Sequence, residues 1–374
     1  MTDQRICIVT INDDANYGNR LQNYALQEAV RALGCVPETL RGVPAQWDRS
    51  LRVARLSWEI TDDPAGLARR GTDRIRRRTG RTPPPPKFLA RRRDAIAGFT
   101  ASHIDVSAET LQTMPRSVVT SRYARALAGS DQIWNPIYRR ASSIDFLQFV
   151  EPSRRGSYAA SFGVPRIPRF LRTRYAEWLR SIPHLSVREA AGAQIVRDLT
   201  GREVPVVLDP TLLVDRPFWD ARISDIAPLT DRPYAVQFFL GRASKDQRGL
   251  ARSMAAERGL QLVDLNNLDD EAFAHVGPLE FVAGIAGAEL VLTDSFHTAA
   301  FSLLYRRSLV LRERHANDAR LNSLLSSHAL RRTDIKLGLS ALVAVDWPRA
   351  EALRHDRQTD SSAFLSAALG MAAS

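Results

Sequence analysis

Short apolar runs alternate with stretches of helical spacing along most of the chain. Ile6–Ile11 is almost entirely apolar and β-branched, a pattern typical of a parallel strand buried on both faces. After a polar loop, apolar residues recur at helical spacing from Leu21 to Leu33, and Gly34 lies where a helix C-terminus favours a positive φ. This strand–loop–helix order predicts the first unit of a doubly wound sheet.

The same alternation resumes after residue 123 and again after residue 233. The first set predicts strands at Ala124–Ala128, Ile144–Val150, Gly156–Ala160, Leu185–Val187 and Val204–Leu208, and helices at Arg169–Ser181 and Glu189–Leu199. The second set predicts strands at Tyr234–Leu240, Leu260–Leu265, Glu289–Thr293 and Leu309–Arg312, and helices at Lys245–Arg258, Pro278–Ala288 and Phe296–Tyr305. The chain is therefore predicted to be an α/β protein with two parallel-sheet domains and a cleft between them.

Two stretches interrupt the alternation. Residues 44–98 contain the tetraproline Pro83–Pro86, which must be extended, and we interpret them as an excursion that is part helix and part mobile loop. The proline-containing stretch Pro210–Pro233 is interpreted as a connector. We therefore predict an N-terminal domain at 1–215 that includes the excursion at 44–98, a C-terminal domain at 216–345 and a helical tail at 346–374.

Composition excludes several classes of protein. Of 374 residues, 44% are apolar, which excludes a largely disordered chain. Cys7 and Cys35 offer no disulfide framework, and no CxxC or His-rich spacing suggests a metal site. No apolar run approaches the ~20 residues needed to cross a bilayer, and the N-terminus does not have the pattern of a signal peptide. We expect a cytoplasmic protein.

The positive charge is concentrated in one segment. Between Arg69 and Asp94, called the basic segment below, eleven cations and two anions supply +9 of the net charge of +11. Phe88 is its only aromatic residue, which argues against stacking on single-stranded nucleic acid. Our hypothesis is that the basic segment steers an anionic acceptor or rests on the anionic inner membrane face. A solvated basic helix is the alternative.

Candidate chemistry is expected beyond the carboxyl ends of the strands, where ligands bind in open α/β sheets. Gly18, in the loop Asn16–Asn19, would let the backbone approach a ligand, and the following helix offers N–H groups to an anion. The loop Gly129–Asn135 carries five hydrogen-bonding side chains, more than a turn requires. This density favours a binding site, whereas the first loop is equally compatible with a plain turn.

Two further loops carry a cation or an imidazole. Arg188 lies at a strand end before a helix, where it could clamp a carboxylate or a phosphate, although a surface pair with Glu189 is equally compatible. His297 begins a helix with Asp294 and Ser295 before it, a setting that favours a catalytic over a packing role.

Taken together, these loops resemble the polysaccharide pyruvyl transferase family. The matching stretches follow the family's order. They are Asn16–Leu26, Gly129–Asn135, Ala159–Gly163, Ser186–Glu189, Val207–Leu213 and Thr293–His297.

The resemblance implies a glycosyltransferase-B-like fold of two Rossmann-like domains, with the acceptor on the N-terminal side and the donor on the C-terminal side. It also implies transfer of the pyruvyl group of phosphoenolpyruvate to a sugar or glycan, forming a cyclic ketal and releasing phosphate, without a metal or further cofactor. Arg188 and His297 would contact the donor, and Asp131 would lie near the reacting centre. Our hypothesis is that His297 protonates the donor's methylene carbon while Asp131 deprotonates a sugar hydroxyl.

One motif departs from the family pattern. Many members have Arg-Leu-His-Gly where this chain has Ser295–Thr298, a Ser-Phe-His variant that lacks a cation for phosphate. Arg312 or Arg314 would supply that cation. The residues expected to bind substrate are Asn16, Gly18, Asn19, Gln22, Ser130, Gln132, Ser161, Ser295, Phe296 and Arg312.

Two alternatives stay open. A nucleotide-sugar glycosyltransferase of the same fold would offer an acidic residue, Asp294 or Glu280, to a ribose. A non-catalytic protein would use the basic segment to bind an anionic partner.

Overall fold

The computed structural model describes residues 4–13, 15–42, 49–62, 68, 71–72, 75, 85–111, 113–240, 243–313, 319–343 and 345–371. The first sheet has strand order β3-β2-β1-β4-β5 and is parallel throughout. Its strands are β1 (Arg5–Val9), β2 (Val36–Arg41), β3 (Val106–Thr110), β4 (Arg125–Ala128) and β5 (Arg155–Ser157). The helices of this half are α1 (Tyr17–Ala32), α2 (Arg49–Asp62), α3 (Leu89–His103), α4 (Arg116–Arg122), α5 (Arg172–Arg180) and α6 (Ala190–Thr200).

Beyond β5 the sheet continues only as single bridges. Gly156 pairs with His184, Ala160 with Val187, and Val187 with Val206, all in parallel. The segments predicted as strands at 185–187 and 204–208 therefore form only isolated bridges, two at Val187 and one at Val206. The strand predicted at Ile144–Val150 is wrong, because the chain forms a 3-10 turn at Ser143–Phe146.

The second sheet has strand order β10-β11-β9-β8-β6-β7. Its strands are β6 (Tyr234–Phe238), β7 (Gln261–Asp264), β8 (Leu290–Thr293), β9 (Ser308–Arg312), β10 (Arg331–Lys336) and β11 (Leu339–Val343). The remaining helices are α7 (Pro210–Leu213), α8 (Arg216–Ile223), α9 (Lys245–Ala256), α10 (Pro278–Gly287), α11 (Phe296–Leu304), α12 (Ala319–Ser327) and α13 (Trp347–Ala368). The pairs among β6–β9 are parallel, whereas β10 and β11 form an antiparallel hairpin on β9 that the pattern did not predict.

The connector and the tail are both more structured than predicted. Pro210–Pro233 contains α7 and α8, which begin after Asp209 and Asp215; each aspartate caps its helix by accepting a backbone N–H. Helix α13 follows the second sheet but returns to the first half. Its residues Leu365 and Ala368 share an apolar cluster with Ile6 of β1. The predicted tail is therefore part of the N-terminal core.

Helix α1 joins the two halves. Its Tyr17 stacks on Phe281 of α10, with ring centroids 4.4 Å apart, and donates a hydrogen bond to the carbonyl of Val276. Tyr17, Leu21 and Tyr24 belong to one apolar cluster with residues of the second sheet and its helices. This contact holds the carboxyl edges of the two sheets against one cleft, and the predicted α/β fold with two Rossmann-like domains is confirmed.

The described end of the basic segment packs against the C-terminal half. Arg92, which is buried, donates to the carbonyls of Leu265 and Phe273, and Arg91 pairs with Glu271. Arg92 is therefore not part of a solvated stripe, whereas Arg91 is exposed and forms its ion pair at the surface. Arg93, on the same helix, is exposed. The remaining arginines of the basic segment lie outside the described residues: Arg69, Arg70, Arg74, Arg76, Arg77, Arg78 and Arg81. Among the described helices, none is long and apolar enough to cross a membrane.

Candidate active site

Loops from both halves meet at one cavity of about 150 Å³. It lies at the carboxyl edges of the two sheets, where the N-termini of α1 and α11 point. The N-terminal half contributes Ile11, Asp13, Asn16, Asn19, Asp131, Gln132 and Tyr138, and the C-terminal half contributes Leu240, Ser295, Phe296, His297 and Arg320. Seven of the predicted site residues are in this wall: Asn16, Asn19, Asp131, Gln132, Ser295, Phe296 and His297.

Arg188 lies beneath the cavity, in an ion pair with Asp209. Its Nη1 is 2.8 Å from Asp209 Oδ2, and Ser130 Oγ donates to the same oxygen at 2.8 Å. The guanidinium carbon lies 4.4 Å from the ring centroid of Phe296. Burial opposes the charged form of Asp209, but His297 and Arg188 outweigh it and hold the pKa of Asp209 well below its usual range. Arg188 is thereby fixed in position by an ionised carboxylate.

His297 shares that carboxylate. Its Nε2 lies 3.6 Å from Asp209 Oδ2 and has no hydrogen-bond partner among the described residues. The residue is in the first turn of α11, which Ser295 caps by accepting the N–H of Thr298 at 3.4 Å. An imidazole nitrogen that is buried, lacks a partner and lies beside a carboxylate is well placed to exchange a proton with a bound molecule.

Gly18 adjoins His297, a contact that the sequence did not predict. A Cβ added there would lie 2.8 Å from the Cβ of His297 and closer still to its ring. The glycine therefore makes room for the His297 side chain. This contact couples the first predicted loop to the fourth.

Asp131 is one of two aspartates in the cavity wall, the other being Asp13. The backbone of Asp131 has a φ of 68°, in the left-handed region that is uncommon for aspartate. Asn19 Nδ2 donates to its Oδ2 at 3.1 Å, and Arg188 Nη2 is 3.5 Å from Oδ1. Burial raises the pKa of Asp131, but Arg188, His297 and Asn19 together outweigh it, so the net shift is downward. Asp131 is therefore ionised at neutral pH and can accept a proton.

Three predicted binding residues support the site from behind. Ser130 holds Asp209, as described above. Ser161 Oγ donates to Glu189 Oε1 at 2.8 Å, and Gln22 Nε2 donates to Thr10 Oγ1 at 3.0 Å. All three are fully buried and none of them lines the cavity. They position the polar network and lie too deep to contact a substrate in this conformation.

Arg312 is buried away from the cavity, in an ion pair with Asp294. Its Nε donates to Asp294 Oδ2 at 3.0 Å, and Asp294 Oδ1 accepts the N–H of Leu240 at 2.6 Å. The structure therefore does not place Arg312 where it could replace the missing cation, and Arg314 lies outside the described residues. Arg320, in the first turn of α12, lines the cavity instead.

A comparison of the sequence with models of protein families shows which family the chain belongs to. The model of the polysaccharide pyruvyl transferase family matches residues 16–311. The chain belongs to this family. The match spans both halves and includes all six stretches that carry the resemblance, so this pyruvyl transferase family member is a transferase enzyme.

Solved structures similar to the transferase are distant from it. The Escherichia coli ADP-heptose lipopolysaccharide heptosyltransferase II is 12% identical with a TM-score of 0.36, covering 96% of this chain and 99% of its own. The spinosyn forosaminyltransferase SpnP is 13% identical with a TM-score of 0.33, covering 98% and 94%. No curated protein sequence matches the chain. The description of the fold rests on the two sheets themselves.

Sequence reasoning missed three charged residues of this site. Asp209 lies in the matching stretch Val207–Leu213 and was given no role, and Glu189 in Ser186–Glu189 was considered only as a surface partner of Arg188. Glu189 is buried beside Arg188, with Oε2 3.8 Å from Arg188 Nε, and burial raises its pKa despite that cation. A carboxylate between an apolar strand and Pro210 is the signal that could have identified Asp209. Nothing in the sequence marks Arg320. In the described part of the chain, no cluster of three or more His, Cys, Asp or Glu could hold a metal.

Proposed function

We propose that this transferase moves the pyruvyl group of phosphoenolpyruvate to a sugar or glycan acceptor, forming a cyclic ketal and releasing phosphate. The observation that supports it best is that Arg188 bonds to Asp209 and His297 lies 3.6 Å from the same carboxylate, at a cavity lined by both halves. The Arg188 cation attracts an anion, and the His297 imidazole can transfer a proton. A reaction of an enol phosphate needs both.

The cavity offers several groups to an anionic donor. Arg320, on the cavity wall, supplies a guanidinium group, which binds carboxylate or phosphate in a bidentate manner. Arg188 lies beneath the wall, and its charge adds to the attraction for an anion. Helix α11 begins at Phe296 on the cavity wall, so its N-terminus adds backbone N–H groups and a favourable dipole. We assign Arg320 the role expected of the missing family arginine.

The proposed reaction begins at the donor's double bond. The His297 imidazolium gives its proton to the methylene carbon, which becomes the methyl group and leaves a cationic carbon bearing the phosphate. A first sugar hydroxyl adds to that carbon, and its proton passes to Asp131. Phosphate then leaves, and a second hydroxyl adds to close the ketal. The proton of this second hydroxyl leaves with the phosphate, and the one on Asp131 restores His297, so the atoms and charges balance.

The cavity size favours this donor over a nucleotide sugar. Pockets for drug-sized ligands are usually about 300–1,000 Å³, whereas the cavity measures about 150 Å³. Asp294, the acidic residue considered for a ribose, is occupied by Arg312. A small, compact anion therefore suits the site better.

The proton donor is tested with a pair of histidine variants. His297→Gln should slow phosphate release from phosphoenolpyruvate by at least ~100-fold, because general acid catalysis is typically worth ~10²–10⁴-fold. The assay uses a panel of methyl glycosides as acceptors. His328→Gln is the matched control, since His328 is also buried but lies outside the cavity. Full activity of His297→Gln would contradict the assignment.

The donor is tested separately by thermal shift. Phosphoenolpyruvate should raise the melting temperature of the wild type, and UDP-glucose and ADP-glucose should not. Arg320→Gln should reduce this shift relative to the wild type, and Arg312 is left unaltered. A shift with the nucleotide sugars alone would favour the glycosyltransferase alternative. If the wild type, with His297 in place, binds phosphoenolpyruvate but does not turn it over, the non-catalytic alternative would be favoured.

A further inference from the structure

Helix α2 has one side packed on the protein and an apolar stripe on the other. On the packed side, Trp58 lies 6.4 Å from the ring of Phe170, and Glu59 is buried and pairs with Arg55 at 2.5 Å. The outer side carries Val53, Leu56 and Ile60, which are 68%, 51% and 57% exposed. These three residues are spaced i, i+3 and i+7, so they share one face of the helix.

Such a stripe is unusual on this molecule. The large hydrophobic side chains that are exposed among the described residues number nine, and four of them fall between Val53 and Ile75. Elsewhere they occur singly or in neighbouring pairs. Contiguous exposed apolar surface marks a place where a protein contacts another surface.

The chain that follows α2 is poor in residues that could cover the stripe and rich in positive charge. Between residues 63 and 84 the only large aliphatic or aromatic residues are Leu67 and Ile75, and Ile75 is itself 63% exposed. The same stretch has seven arginines and two aspartates. An apolar helix face joined to a cationic segment is the combination that binds anionic bilayers, because the apolar side chains enter the interface and the cations attract acidic headgroups.

We propose that Val53, Leu56 and Ile60 dock this transferase on an anionic lipid bilayer. The position of α2 gives the contact a use. The helix follows the carboxyl end of β2 and contacts the 3-10 turn Arg169–Leu171, which follows the carboxyl end of β5. These strand ends belong to the edge that carries the cavity, so we place the docking contact on the same side of the N-terminal half as the cavity. Resting on the proposed function, this placement suits a sugar acceptor attached to a lipid.

The test is vesicle flotation of the full-length protein. Vesicles of phosphatidylcholine with 30% phosphatidylglycerol should carry the wild type upward, and pure phosphatidylcholine vesicles should not. The triple variant Val53→Gln, Leu56→Gln, Ile60→Gln should lose at least about tenfold in binding, the effect of losing the burial of one such side chain. The matched control, Val118→Gln, Ile335→Gln, Leu337→Gln, also removes three exposed apolar side chains and should float like the wild type.

Three results would overturn the proposal. One is absence of wild-type flotation with the anionic vesicles, and another is equal flotation of the two triple variants. The third is a dimer in light scattering that the α2 variant dissociates, which would make the stripe a contact between copies of the chain. Phosphate release with soluble methyl glycosides should be unchanged in the α2 variant. Failure of docking is thereby distinguishable from failure of the proposed function.

Discussion

Two buried arginine–aspartate pairs in the N-terminal half differ in how many of the arginine's N–H groups donate hydrogen bonds to the aspartate. Arg139 and Asp145 form a closed pair: Nε and Nη2 reach the two carboxylate oxygens at 2.9 and 2.6 Å. In the pair of Arg188 and Asp209, by contrast, Arg188 and Ser130 both donate to the same carboxylate oxygen, Asp209 Oδ2. Arg188 Nε has no hydrogen-bond partner among the described residues, and neither does the nearby Nε2 of His297.

The difference separates a structural pair from a functional one. In the closed pair both side chains are buried and each carboxylate oxygen accepts from the guanidinium. In the open pair the uncommitted donors lie next to a cavity. Buried polar atoms without partners are rare in folded proteins because each costs free energy. Such an atom on a residue that lines a cavity, as His297 does, is therefore better evidence for a site than the presence of buried charge.

The largest effect that can test this comparison is the loss of either arginine. Arg139→Met leaves Asp145 buried and unpaired, so the free energy of unfolding should fall by about 3–5 kcal/mol. Arg188→Met also removes a buried cation, but its distinguishing effect should be loss of the thermal shift with phosphoenolpyruvate. Urea denaturation and thermal shift on both variants measure the two quantities. Folded Arg139→Met that no longer binds the donor would break the comparison.

A smaller effect is expected where Gly18 meets His297. Gly18→Ala places a methyl group against the imidazole, and displacement of a catalytic group by about 1 Å can cost ~100-fold in rate. Gly98→Ala is the control, because its new methyl group meets nothing within 4 Å. As a helix-interior glycine it should gain about 0.5–1 kcal/mol in stability. Phosphate release compares the two variants, and a fully active Gly18→Ala would show that the ring position is not critical.

The smallest effect concerns acid stability. The pKa of Asp209 is lowered in the folded state, so its contribution is complete above the unfolded value near 3.8 and is lost as the pH falls below it. The pKa of Asp145 is raised by burial even though Arg139 opposes the shift, so acid does not remove stability through this residue. Asp209→Asn should therefore flatten the loss of stability between pH 5 and 3 by on the order of 1 kcal/mol. Asp145→Asn should not flatten that loss but make it slightly steeper, because protonation of Asp145 on acidification no longer favours the folded state. Urea denaturation across pH measures both variants.

The regular part of the fold was predictable from spacing alone. Helix α1 and strands β1, β6 and β8 have unambiguous periodicity and were predicted within a few residues. The run Ile144–Val150 failed because a short apolar run looks the same in a strand and in a buried turn. There Phe146 stacks on Trp134 at 5.3 Å and Leu147 has a φ of 57°. The hairpin strand Arg331–Lys336 was missed because it is mostly exposed and has no apolar alternation.

The site was predictable as a set of loops but not as a network. Asp131, Arg188 and His297 follow strands that the pattern identified, so their meeting at one edge could be expected. The sequence could not predict which carboxylate would bind Arg188. Asp209 and Glu189 both lie in matching stretches, and only the folded chain distinguishes them. Arg320 comes from a helix with no motif, and only the closure of the two halves places it near Asp131.

The return of helix α13 to the N-terminal half has a consequence for the order of folding. Leu365, Ala368 and Leu369 complete an apolar cluster begun by Ile6 and Ile8, with the whole second sheet between them in sequence. During synthesis the first half therefore emerges with part of its core open to solvent until α13 has been made. The covalent chain crosses between the halves twice, and the domain that begins first is the one that finishes last.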